Sequence, residues 1–256
     1  MTRRHLAAFA AILALAAACL VAAPPAAAQT LRWASQGDPQ TMDPHSQNEG
    51  LTNMMNGQVY ETLVRRDKVL NLVPGLATAW QQTGPLAWRF TLRQGVRFHD
   101  GRPLTADDVV FSVERAQAPT SQIGVYANAA GKAVAIDAQT VEFRLPAVNP
   151  IFLEHVAALW IMNRAWAVEH KVERPLDFKN KEESHASFAA NGTGPYMLVS
   201  RAPGIKTSYK RNPAWWDKPE GNVQEIAFTP IANDATRLAA LVSGEIDFVL
   251  DPSPRD

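Results

Sequence analysis

Asp107 and Asp108 are adjacent carboxylates, a pair whose types could share a proton or chelate a divalent cation if their oxygens converged. Neighbouring positions on a helix point in different directions, and Thr105-Ala106-Asp107-Asp108 has the form of a capping box that already gives Asp108 a structural role. Outside His5, the histidines His45, His99, His155, His170 and His185 are scattered, with no H-E-x-x-H or comparable spacing, so no built-in metal site is expected. Asn191-Gly192-Thr193-Gly194-Pro195 has the glycines of a phosphate loop but not its G-K-[ST] ending, and Pro195 removes a backbone donor; it reads as a tight turn opening a strand. Ser200 and Ser243 lie outside any G-x-S-x-G context, and no nucleophilic triad can be assembled. Trp215-Trp216, after Asn212-Pro213, are expected to pack beneath a loop rather than to hold a ligand. No enzymatic activity, cofactor or metal is therefore expected, and a secreted hydrolase would need a nucleophile that is not visible.

The chain has 256 residues, with 25 Lys and Arg against 25 Asp and Glu, and this balance argues against a nucleic-acid binder. With 46% apolar and 20% charged residues it can bury a sizeable core, and nothing signals global disorder or a coiled coil. Residues 1–28 read as a cleaved secretory signal: Arg3 and Arg4 supply the positive start, Leu6 to Ala23 is apolar without a charge, and Pro24-Pro25-Ala26-Ala27-Ala28 offers a break and small residues. Export implies a periplasmic location. Lipid anchoring at Cys19, behind Ala16-Ala17-Ala18, ranks second because a large aliphatic residue is usual where Ala16 stands. Cleavage after Ala28 takes two of the 25 basic residues, leaving 23 against 25 acidic, and removes the single cysteine, so disulfides and thiol chemistry are excluded from the mature chain.

The elements that must position any site follow from periodicity. Leu31 to Ala34 is a short strand ending at the turn Gln36-Gly37-Asp38-Pro39. Leu51 to Leu63 has helical spacing, with Met54 and Met55 as core filler. Trp88 to Arg93 alternates as a half-buried strand that puts Arg89, Thr91 and Arg93 on the wet face, and Val96 and Phe98 resume it after Gln94-Gly95. A helix capped by Thr105 ends near Ala118-Pro119, and Val134 to Ile136 with Val141 to Leu145 reads as a hairpin. Asn149-Pro150 opens a helix, followed by a short buried strand at Leu159 to Met162 and a second helix from Arg164. Lys171 to Ala190 is expected as a surface loop with an irregular helical turn. Tyr196 to Val199, Ile205 to Tyr209 and Ile226 to Ile231 are strands. Asn233 caps a helix whose Leu238, Leu241 and Val242 should face inward, Gly244 ends it, and Ile246 to Leu250 is a last strand, giving a β-α-β unit with a parallel pair in a mixed sheet.

In this order the segments resemble one family. They are Leu31 to Ala34 with Asp38 to Pro44, Tyr60 to Val64, Pro74 to Ala77 with Trp80, Trp88 to Leu92, Gly95 to Ser112, Gly192 to Tyr196, Arg211 to Pro213 with Trp215-Trp216, and Ser243 to Asp247. The family is the extracellular solute-binding proteins of the dipeptide, oligopeptide and nickel type, family 5, which serve ABC importers. The resemblance implies an α/β, type II periplasmic-binding-protein-like lobe with a mixed sheet and an inserted smaller α+β domain. Residues 30–73 with 190–256 would form the larger part and 74–189 the insertion. It implies a monomer that closes on a peptide or similar small solute by a hinge motion and presents it to permease subunits at the inner membrane. Members are commonly about twice this length, so the second lobe is expected to be missing and the chain to be a truncated fragment, which as the alternative reading does not bind alone. The loop Asp38-Pro39-Gln40-Thr41 resembles the segment whose backbone contacts extended ligands, Asp251 and Pro252 stand at the crossing toward the second lobe, and Tyr126 follows the signature helix. These seven are the candidate binding residues.

Overall fold

The computed structural model describes residues 29–253; the stretch expected to be an export signal, with Cys19 in it, lies outside the described residues. Strand β1 (Gln29–Ser35) lies inside a five-stranded sheet, one strand from its edge, while β2 (Val64–Arg66) and β3 (Leu72–Pro74) form a separate two-stranded ribbon. Strand β1 pairs in parallel with β10 (Val223–Pro230) on one side and β11 (Phe248–Val249) on the other. Beyond β10, strands β9 (Lys206–Arg211) and β8 (Tyr196–Ala202) continue antiparallel. The expected β-α-β unit is therefore present, with β1 inserted between its two strands. Its helix, α6 (Asp234–Val242), is capped by Asn233, whose side chain accepts from the Thr236 N–H, and Gly244 at φ +75° ends it in the left-handed conformation that glycine adopts without a Cβ penalty.

The second sheet is antiparallel, in the order β4 (Ala77–Gly84), β5 (Ala87–Leu92), β7 (Thr140–Arg144), β6 (Lys132–Asp137). Phe90 and Leu92 are buried from β5 while Thr91 is exposed and Arg89 stays at the margin, as the alternation requires. Helix α2 (Ala106–Ala116) lies against this sheet and begins with the expected capping box: the Thr105 N–H and hydroxyl both reach the Asp108 carboxylate at 2.9 Å. Phe90, Phe143 and Phe152 form an edge-to-face triad with centroids 5.3 to 6.0 Å apart at the centre of one core. A separate core under the five-stranded sheet gathers Trp33, Met42, Met55, Tyr209 and Phe228.

Several expectations change. Helix α1 (Gly50–Asn56) stops seven residues before Leu63, because the Gln58 and Val59 carbonyls accept from the Tyr196 and Gly194 N–H groups instead of continuing the helix. Met55 is core filler, but Met54 is exposed. Val96 and Phe98 are buried, yet this segment forms only one bridge, Arg97 to Pro103, and no strand. Leu159 to Met162 is buried and extended without being a strand; Ile161 donates to the Glu61 carbonyl before helix α5 (Arg164–Glu169) begins. Helix α4 (Phe152–Val156) starts three residues after Asn149. The segment 171–190 contains two 3-10 turns, and Val172, Leu176 and Ala186 are buried, so it is partly core. On α6 it is Arg237 and Ala240 that face inward, while Leu238 and Leu241 are each 37% exposed and Val242 80%. A small residue lets the helix sit close, and Arg237 reaches carbonyls that a leucine could not satisfy.

Candidate binding site

The carboxyl ends of β1, β10 and β11 lie side by side. The Ala34 carbonyl accepts from Leu250 N–H at 3.0 Å and the Ser35 carbonyl from Ile231 N–H at 2.9 Å. At this edge the Ser35 hydroxyl donates to the Asp251 carboxylate, which brings the last predicted segment against the strand that leads into the first. Arg237 ties the corner together: Nη1 donates to the Ile231 carbonyl at 2.6 Å, and Nη2 to the Asp251 carbonyl at 2.8 Å and to Asp234 at 2.7 Å. Ligand crevices of open α/β sheets form outside the carboxyl ends of parallel strands, and this is such an end.

The loop leaving β1 is held by the β8–β9 hairpin. The Gly204 N–H donates to Asp38 Oδ2 at 3.1 Å, and Arg201 donates from Nη2 to the Pro39 carbonyl while standing 3.5 Å from Asp38. Pro39 is buried and Gln40 exposed, with the Gln40 N–H donating to Thr52 Oγ1 at 2.9 Å. Thr41 is buried and its hydroxyl accepts from the Asp43 N–H at 3.1 Å. A cavity of about 510 Å³ opens beside this loop, lined by Gln40, Thr41, Phe178, Lys181, Phe188 and Arg201. Of the loop, Gln40 and Thr41 line this cavity while Asp38 and Pro39 are tied to the hairpin behind it, and Asp251 meets Ser35 at the end of β1, off the cavity wall. Pro252 is exposed next to it. Tyr126 stands apart on helix α3 (Gly124–Ala130), half-buried, its hydroxyl accepting from Asn48 Nδ2 at 3.3 Å.

Behind the loop lies a buried ionic cluster. Arg115 on α2 makes a bidentate pair with Asp43 at 2.6 and 2.8 Å, both side chains being fully buried. It also donates to the Val172 and Arg174 carbonyls and from Nη1 to His45 Nδ1 at 3.1 Å. Burial alone would raise the Asp43 carboxyl, but Arg115 outweighs it and holds the group at about 2. Burial, with the Arg115 charge, pushes His45 down to about 3. The ring is neutral for a geometric reason as well: its Nε2 meets the Trp160 carbonyl at 3.0 Å, which only accepts, and its Nδ1 meets Arg115, which only donates.

A second carboxylate, Glu61, accepts from Thr193 Oγ1 at 2.8 Å and from the indoles of Trp216 at 2.9 Å and Trp215 at 3.2 Å. Burial raises it above its ordinary range, and the three donors counter part of that. The Trp pair is therefore half-buried with its N–H groups committed, and Arg93 lies over the Trp216 ring at 4.0 Å. Arg115, His45, Glu61, Arg201 and Arg237 were not singled out from sequence. The available signal was a charged residue on the inner face of an otherwise apolar helix, visible for Arg115 and Arg237 and absent for the others. Gly192 and Gly194 serve close approach, not phosphate binding: a Cβ at Gly194 would stand 2.6 Å from the Val59 carbonyl oxygen, and at Gly192 closer still.

A family model described as bacterial extracellular solute-binding proteins, family 5 Middle, matches residues 71–256. Among curated proteins, the chain is 27% identical to the periplasmic oligopeptide-binding protein OppA of Salmonella typhimurium, covering 88% of this chain and 44% of that protein. It is 27% identical to di/tripeptide-binding protein 1 of Pseudomonas aeruginosa, covering 94% and 48%. Among solved structures, the Helicobacter pylori periplasmic binding protein DppA, in complex with the peptide STSA, superposes with a TM-score of 0.76 at 26% identity over 88% of this chain and 47% of that one. The murein tripeptide binding protein MppA of Escherichia coli gives 0.73 at 25% identity, covering 88% and 46%. The chain thus spans about half the length of the relatives it matches.

Proposed function

Because this chain belongs to the bacterial extracellular solute-binding proteins of family 5 and has their type II periplasmic-binding fold, we propose that it is the solute-capturing part of an ABC importer, taking up a peptide or a comparably sized polar solute. The observation that carries the reading is that the loop Asp38 to Thr41 leaves β1, and Asp251 follows β11, at the carboxyl edge of three parallel strands, with Gln40 and Thr41 lining a cavity of about 510 Å³. In this reading the loop presents backbone groups to an extended ligand, Asp251 and Pro252 mark the crossing to the other wall of the cleft, and Tyr126 supplies an aromatic contact.

The larger part, residues 30–73 with 190–256, would be built on the five-stranded sheet, and the insertion, 74–189, on the antiparallel sheet. The protein acts in the periplasm after export, as a monomer that delivers solute to inner-membrane permease subunits, and it performs no chemistry on its cargo. Support comes from the family match and from relatives named as periplasmic peptide-binding proteins. A thermal-shift screen of the protein against peptide mixtures, amino-acid derivatives and nickel chelates tests it. A cognate solute at 100 times its Kd should stabilise by about 2.7 kcal/mol; no shift with any of these classes would contradict the proposal.

A further inference from the structure

Two histidines that the candidate site does not use meet at the C-terminal end of α5. His170, the residue after that helix, stacks on His185 with ring centroids 4.1 Å apart and planes 10° from parallel, and Trp166 tilts against the two rings at 4.9 and 5.5 Å. His185 is exposed and opens the 3-10 turn His185–Ser187, whose far side is built into the cavity wall. Ala186 and Ser187 are buried, the Ser187 carbonyl accepts from the Met42 N–H at 3.3 Å, and Ser187 and Phe188 line the 510 Å³ cavity with Gln40 and Thr41. Few charges bear on the stack. On α5, Glu169 precedes His170 and is held by Arg102 Nη2 at 2.6 Å, while α2, packed on α5, turns Asp108 to the Arg164 N–H at the opposite end of that helix. Lys171 and Glu183, the nearest charged residues along the chain, are exposed. Burial, and then the neighbouring His170, lower the His185 ring below its ordinary imidazole value, and among the described residues no carboxylate offsets them.

Resting on the reading of the chain as a solute binder only for what the cavity holds, we propose that the stacked pair His170 and His185 is a latch on the cavity wall: neutral rings keep residues 185–188 docked on α5, and acid releases them. Two protonated rings stacked this way place like charges about 4 Å apart, and across water that repulsion is worth about a fivefold shift toward the undocked turn. The sign follows from linkage. A ring lowered when docked takes its proton more readily once the turn has left α5, so docking is complete above the ordinary imidazole range and weakens as pH falls through it. The Met42 contact passes the loosening to the end of the loop that carries Gln40 and Thr41.

Amide hydrogen exchange of the whole protein at pH 7 and pH 5, corrected for the intrinsic rate at each pH, tests the latch. Residues 185–188 and Met42 should open about fivefold more often at pH 5, measured relative to β1, a reference that removes the global loss contributed by His45. His170→Phe keeps an aromatic ring on His185 without a charge and should cancel the acid effect. His185→Phe should cancel it from the other side, so the test survives if one variant fails to fold. Opening that is unchanged relative to β1 in the native protein, or an acid effect that persists in the substituted proteins, overturns the proposal. No solute enters these measurements, so failure to bind any peptide would overturn peptide capture and leave the latch standing.

Discussion

Arg115, Asp43 and His45 decide how firmly the loop at the cavity is held, since Asp43 follows Thr41 by two residues and cannot move without breaking a fully buried ion pair. Removing one member of such a pair leaves an uncompensated buried charge. Arg115→Met should therefore destabilise the protein by about 3–5 kcal/mol in urea unfolding, a large fraction of a typical domain's stability. His45 makes this cluster sensitive to acid. The folded ring stays neutral down to about 3 while the unfolded ring takes a proton near its ordinary value, so between those limits the unfolded state binds more protons and stability falls as pH falls. Going from pH 7 to pH 5 should cost up to about 2 kcal/mol from this group, and His45→Gln should flatten that slope. A wild-type stability unchanged over this range would contradict the buried, neutral ring. Asp43 adds its own loss only at lower pH, as the medium approaches its value of about 2. None of this was legible in the sequence, because Asp43-Pro44-His45 reads as an ordinary polar loop until Arg115, 72 residues away, is brought over it.

Elements whose pattern is local were read well from sequence. The Thr105 capping box, the hairpin of β6 and β7 and the strand at Leu31 each depend on neighbours within a few positions, and each formed as expected. Elements decided by distant partners were not. The helical spacing from Leu51 to Leu63 predicts a longer helix than α1, but the Val59 carbonyl is claimed by Gly194. That contact makes Gly194→Ala a sharp test: the added methyl meets backbone that cannot swing away, and the cost should be about 1–3 kcal/mol or more. Gly50→Ala, at the open first turn of α1 with nothing within 4 Å, should instead raise stability by about 0.5–1 kcal/mol. The face of α6 was misread because three large apolar residues outweighed one arginine in the pattern. Val242→Lys should leave the unfolding midpoint within about 0.5 kcal/mol of the parent, while Arg237→Leu, which strands the Ile231 and Asp251 carbonyls, should lower it.

Over the whole molecule, the five-stranded and four-stranded sheets have separate cores, and the strand order places the start and the end of the described chain on adjacent strands. That adjacency is what brings Asp251 to Ser35, at the start of the loop that carries Asp38 to Thr41, and it depends on β1 inserting between β10 and β11, which periodicity alone does not reveal. The fold class was legible through the ordered family segments, which also drew attention to the loops at Asp38 and Asp251; Arg201 and Arg237, which hold those loops, were not legible, since a lone arginine carries no pattern. Amide hydrogen exchange with and without a peptide found by the thermal screen tests the central claim most directly. Saturating peptide should slow exchange at residues 36–41 and 249–251 more than elsewhere in the five-stranded sheet. Protection confined to other segments, with these two unchanged, would contradict the placement of the binding site.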